Sequence, residues 1–197
     1  MEIRERLISA FERQTKTLIE RNYHRAAGFS QSQFLTEFIE PLRSVIDDYL
    51  RKTEGIEIKN SIPLLIVVTE RLMSIPKKMR RVVLDGERGE MMISIESLSN
   101  CPKIQLPKTT VYLLFGVTFE SVGNCRLPLT VDEGIAVVTH YPETIIKQHL
   151  LLTGSQYLDR FTPIIWRNGI KRPALDRVPK ERPGTIAKEI TAAARLA

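Results

Sequence analysis

Asp132, Glu133 and His140 lie close together between Thr130 and Pro142, and Ser155, Asp159 and Arg160 follow in the next block. Carboxylates, an imidazole, a hydroxyl and a guanidinium are the groups that general acid–base catalysis, nucleophilic attack or metal binding would require. Their spacing supports none of these strongly. His140 and His149 are the metal-ligand candidates, but no His-x-His or His-Glu-x-x-His arrangement surrounds them. Ser155 sits in Leu152-Thr153-Gly154-Ser155-Gln156, which lacks the second glycine of a nucleophile elbow. Cys101 and Cys125 form neither a metal spacing nor a disulfide framework. Gly86 and Gly89 are not followed by the Lys-Ser/Thr of a phosphate loop.

A structural explanation covers much of the same block. Thr130 followed three residues later by Glu133 is a capping box, and Asp132 and Glu133 complement the positive end of a helix dipole. Pro142 ends that helix, which the pattern places over about 131–140. Gly134 within it suggests a close approach by another backbone. Thr130, Asp132, Glu133, His140, Ser155, Asp159 and Arg160 form one candidate pocket, with no cofactor implied.

The second chemical feature is charge. Between Trp166 and Ala197 eight basic residues stand against three acidic ones, so nearly all of the net charge of +6 lies there. Arg167, Lys171, Arg172, Lys180 and Arg182 are the candidates for contact with phosphate or an acidic partner. Lys77-Lys78-Met79-Arg80-Arg81 is a smaller basic cluster. Trp166 alone interleaves the basic end with an aromatic, and no nucleic-acid motif is present.

The elements that must position these groups follow from periodicity. Ile3, Leu7, Phe11, Leu18 and their neighbours mark an amphipathic helix over 3–24. A second capping box, Ser30 with Gln33, opens a helix over 31–52 that Pro41 should kink or break. The two helices should pack as an antiparallel hairpin. Runs at 62–68, 111–118 and 149–153 read as strands, and 90–95 is a further candidate. Asn168-Gly169 between 162–166 and 170–173 signals a hairpin. The sum is an α+β fold, a mixed β-sheet preceded by an N-terminal helical hairpin. Residues 1–55 are the hairpin, 56–178 the α+β core, and 179–197 a basic, alanine-rich C-terminal helix, all within one domain.

No apolar run approaches the roughly 18 residues a membrane helix needs, and the charged start Met1-Glu2-Ile3-Arg4 is no signal peptide. A reduced, cytoplasmic protein is expected.

Pro128-Leu129-Thr130-Val131-Asp132-Glu133-Gly134-Ile135-Ala136, followed by Val138-Thr139-His140-Tyr141-Pro142, resembles the signature block of an uncharacterised, largely actinobacterial family, a domain of unknown function. Gly154-Ser155, Asp159-Arg160, Pro163 and Trp166 are similar to its next block, and Phe11-Glu12-Arg13-Gln14, Asn22-Tyr23 and Ala27-Gly28 to its N-terminal one. The chain departs from the pattern in having Gln156 after Gly-Ser, and in replacing an aromatic tail by 167–197. The resemblance implies no activity, cofactor or catalytic residue.

The expectation is therefore a binding or interaction protein. A metal- or carboxylate-dependent hydrolase and a nucleic-acid-associated protein using the basic C-terminal end are the alternatives. Self-association through the N-terminal helices is a further expectation.

Overall fold

The computed structural model describes residues 3–52, 62–119 and 127–181, together with the backbone of 187–189, 191–192 and 194–196. The fold is α+β.

The chain opens with α1 (Ile3–Glu20), whose Leu7, Ala10, Phe11, Gln14 and Leu18 are buried. Asn22, at φ 58°, turns it into the single turn α2 (Tyr23–Ala27). Ser30 and Gln33 cap one another at the start of α3 (Gln31–Phe34). The next turn, Leu35–Ile39, winds as a π-helix, with the Glu40 amide donating to the Leu35 carbonyl at 2.9 Å. Pro41 has no amide to continue the ladder, and α4 restarts at Leu42–Lys52. The expected interruption at Pro41 is thus a wide turn before the proline. Ion pairs Arg4–Asp47 and Arg43–Glu12 run α4 antiparallel to α1.

These helices lie on one face of a three-stranded sheet ordered β1 (Ile62–Val68), β6 (Val111–Val117), β14 (Ala194–Leu196). Between β1 and β6 come α5 (Ile75–Met79), the short strands β2 (Val83–Leu84), β3 (Glu87–Arg88) and β4 (Glu90–Met91), and β5 (Leu98–Asn100). β6 (Val111–Val117) pairs antiparallel with β1 along its whole length. Both strands are near-continuous apolar runs because both faces are covered. Leu64, Ile66, Val68, Val111, Leu113 and Phe115 pack with the helices, and Tyr49 stacks on Phe115 at 3.8 Å. Leu65, Val67, Tyr112 and Leu114 face the opposite way. The alternation changes at the Pro63 and Gly116 level, where Gly116 has φ 61°, so Ile62 and Val117 join the second core.

That second core is built around α6 (Val131–His140), which follows β7 (Leu127–Pro128). α6 is buried on almost every side, as expected of a helix that is apolar all round. It packs on β1 and on the larger, mixed sheet formed by β8 (His149–Leu151), β9 (Ser155–Tyr157), β10 (Phe161–Arg167), β11 (Pro173–Pro179), β4 and β5, with β12 (Ala187–Glu189) beside β8. The close approach at Gly134 is made by a side chain rather than by the expected backbone: a Cβ there would run into Leu152. Gly154 is held against backbone: a Cβ there would lie 2.7 Å from the Pro128 carbonyl oxygen.

Two local expectations are corrected. β10 and β11 form the expected hairpin, but its loop is five residues long, 168–172. The Asn168 side chain accepts from the Ile170 and Arg172 amides, and Lys171 rather than Gly169 takes the positive φ, at 67°. The alanine-rich segment after 185 was expected to be helical. Its described backbone instead forms β12, β13 (Thr191–Ala192) and β14 (Ala194–Leu196) on β8, β7 and β6. Alanine's helix preference is weak, and strand edges with unpaired backbone groups overrode it.

Candidate functional site

The head of α6 is where several of the sequence candidates meet. The Glu133 carboxylate turns back to accept from the Thr130 amide at 2.7 Å and the Thr130 hydroxyl at 3.0 Å, and its other oxygen accepts from the Tyr112 hydroxyl at 2.7 Å. Glu133 is fully buried and Thr130 nearly so. Ser155 is buried as well. Its Oγ accepts from the Val131 amide at 3.0 Å and donates to Asn100 Oδ1 at 2.9 Å, tying β9 and β5 to the helix start.

Asp132 points the other way and meets Lys78 of α5. Lys78 is 1% exposed, and besides the ion pair its Nζ donates to the Val68 carbonyl at 3.0 Å. Asp132 Oδ2 accepts the Glu70 amide at 3.0 Å. Burial depresses the Lys78 pKa, although Asp132 pulls it upward. In the sequence Lys78 is one member of the basic cluster 77–81. Its only local signal was its position among Ile75, Met79 and Val82, three apolar residues at helical spacing.

Two openings flank this head and share Glu70, Asn100 and Asp132. One, of about 170 Å³, reaches Ser155 and Leu98; the other, of about 380 Å³, reaches Thr69, Arg71 and Pro107.

His140 is not part of that cleft. It lies at the other end of α6, about 12 Å beyond Asp132 at 1.5 Å rise per residue. The residue is partly exposed, but both ring nitrogens are shut off from solvent and make no hydrogen bond of good geometry. Burial lowers its pKa from 6.5 to about 3, against an opposing pull from the Ile66 backbone. Its neighbours Tyr23 and Thr139 join hydroxyls at 3.1 Å, and burial raises the Tyr23 pKa to about 12. Tyr23, Thr139, His140, Lys78 and Asp132 line a cavity of only about 10 Å³.

Asp159 and Arg160 are exposed in the turn joining β9 to β10, with Asp159 at φ 55°, and no ion pair between them is described. His149 packs its ring edge-to-face on Trp166, centroids 5.2 Å apart. Among the described residues no three His, Cys, Asp or Glu side chains gather as a metal site.

The basic C-terminal candidates are partly neutralised. Arg167 pairs with Asp85 at 2.6 Å, and Arg172 with Glu87 at 2.8 Å and Glu90 at 3.9 Å. Lys180 reaches Gln156 at 3.4 Å, Lys171 is exposed, and Arg182 lies outside the described residues. None of their sequence neighbours indicated that the acids at 85–90 would fold against them.

A third feature carried no sequence signal. α1 and the Gln31–Arg43 stretch enclose a groove of about 710 Å³, floored by Phe11, Ile19, Leu35 and Ile39. The π-turn forms part of its wall. Lys16–Glu20 and Arg43–Glu12 are paired along the rim at 3.8 and 3.9 Å, and Glu40 stands there without a described ion-pair partner.

Residues 17–185, which include both the α6 head and the far wall of the groove, match a family of unknown function, DUF5701. The chain belongs to DUF5701. That match spans α2 to β11 and brings no reaction or ligand with it. No curated protein and no solved structure matches the chain. Among the described residues no helix is long and apolar enough to cross a membrane.

Proposed function

We propose that this protein is an interaction module that receives an amphipathic helix with basic flanks in the groove between α1 and the Gln31–Arg43 stretch. The groove itself carries this reading: an apolar trough of about 710 Å³ on a surface otherwise lined with charge. That volume lies within the range of ligand-sized clefts, and an apolar floor between charged rims suits helix-in-groove recognition. The flank charge follows from the rim, where Lys16 and Arg43 are engaged by Glu20 and Glu12, leaving Glu40. Action in a reducing cytoplasm accords with Cys101 as a free thiol.

The probe is a synthetic helical peptide with leucines at i, i+4 and i+7 and lysines at both ends, compared with the same peptide carrying glutamates. The lysine form should bind the full chain with micromolar affinity. Leu35→Arg or Ile19→Arg should weaken it at least tenfold without lowering the melting temperature. Equal binding of both peptides, or no effect of either substitution, defeats the reading. A dimer that the same substitutions dissolve would make a second copy of the chain the occupant instead.

A second reading rests on the two openings over Asp132. The Glu70 carboxylate and Asn100 amide would hold a small polar ligand. Ligand-induced stabilisation lost in Glu70→Gln and Asn100→Ala would support it. Stabilisation by no polar metabolite would remove it.

A further inference from the structure

We propose that the surface formed by the end of α1, α2 and α5 binds double-stranded nucleic acid through its phosphate backbone. Residues about 60 positions apart in the chain meet there. Arg81 Nε donates to the Asn22 carbonyl at 3.5 Å, and Arg21 donates to the Val83 carbonyl at 3.4 Å. Residues 21–36 and 74–84 contain no Asp or Glu at all. Together they present Arg21, Arg25, Lys77, Arg80 and Arg81, none with a described ion-pair partner; Lys78, the remaining cation, is turned inward to Asp132. Arg25, Lys77 and Arg80 are exposed, and Arg21 and Arg81 half-buried. With Arg167 and Arg172 engaged by acids, much of the unbalanced positive charge of the described residues lies on this face rather than at the C-terminal end.

Four of the five cations are arginines, whose planar forks suit phosphate oxygens in a bidentate way. The exposed large apolar side chains, Met92, Ile146, Leu158 and Ile170, belong to other segments, so nothing here would insert into a lipid surface. No exposed aromatic ring stands among the cations to stack single-stranded bases. A duplex backbone, read without sequence preference, is the polyanion that remains.

The test titrates the full chain into a fluorescent 24-base-pair duplex of scrambled sequence at several salt concentrations. Binding should weaken with a log–log slope no steeper than about −4.5 for five contacts, at most about five-hundredfold between 50 and 200 mM salt. Arg25→Glu/Arg80→Glu, both at exposed positions, should cut affinity at least tenfold at 50 mM salt and flatten the slope by about 2. Lys52→Glu/Lys103→Glu, the same charge change on other elements, should cost far less. Melting curves confirm that each variant is folded. The inference is overturned if the wild-type chain does not bind the duplex at 50 mM salt, or if the two double variants weaken it equally. It is equally overturned if vesicles containing phosphatidylserine are bound and the duplex is not.

Discussion

Lys78 and Asp132 form a buried ion pair at the free edge of β1, where Lys78 also holds the last carbonyl of the strand, that of Val68, at 3.0 Å. Two residues further along, Asp132 accepts the Glu70 amide at 3.0 Å. At the near end Gln14 does the same work, its amide nitrogen donating to the Leu64 carbonyl and its oxygen accepting the Ile66 amide, both at 2.8 Å. Side chains from α1, α5 and α6 thus replace a neighbouring strand along this edge.

Breaking the ion pair on one side should be costly. Lys78→Met leaves Asp132 partly buried without its cation and the Val68 carbonyl without a donor, a loss of about 3–5 kcal/mol. Lys78→Met/Asp132→Leu should be less destabilising than the sum of the two single changes. Urea unfolding of the four proteins measures this coupling, and additive losses would mean the pair is not coupled.

Gln14→Leu should destabilise by about 1–3 kcal/mol, because a buried carbonyl and a buried amide both lose their partner. Hydrogen exchange supplies the local readout: the Ile66 amide should exchange faster in the variant. Unchanged protection there would show that the edge is closed by something else.

Gly134→Ala tests the close approach of α6 to Leu152. Alanine favours a helix by about 1 kcal/mol, but forcing Leu152 aside within the core costs about 1–3 kcal/mol. The expected result is a net loss, reduced when Leu152→Val is added. A stabilised Gly134→Ala protein would show that Leu152 moves freely.

His140 makes the fold acid-sensitive. Burial holds its folded pKa at about 3, below the ordinary imidazole value of 6.5, so on acidification the unfolded chain takes up the proton first. Stability is complete above pH 6.5 and declines as pH falls toward 3, by a few kcal/mol in total. The difference in unfolding free energy between wild type and His140→Leu, followed from pH 7.5 to 4, should change with this slope. A constant difference would place the ring in contact with water.

The α6 head was legible where its chemistry is local. Thr130 and Glu133 announce their cap at fixed spacing, and Gly134 announces a close approach. Lys78 was not, because its burial is decided by Asp132, 54 residues later in the chain. Gln14 left a trace: it falls between Phe11 and Leu18 on the buried stripe of α1, where a polar side chain has to find a partner. The strands after 185 could not be foreseen, since alanine's propensity is overruled by whichever edges the fold leaves open. The placing of Asp159 and Arg160 in a turn, away from Asp132, likewise depends on how β9 and β10 meet.

Successive residues of β1 and β6 belong to different cores, Leu64 and Ile66 to the helical side and Leu65 and Val67 to the α6 side. Neither layer can come apart while the other keeps its packing, because both would tear the same two strands. Heat or denaturant should therefore find no half-melted form in which the N-terminal helices have left an intact remainder. The loss of Tyr49 stacking and the loss of α6 should trace one and the same transition curve.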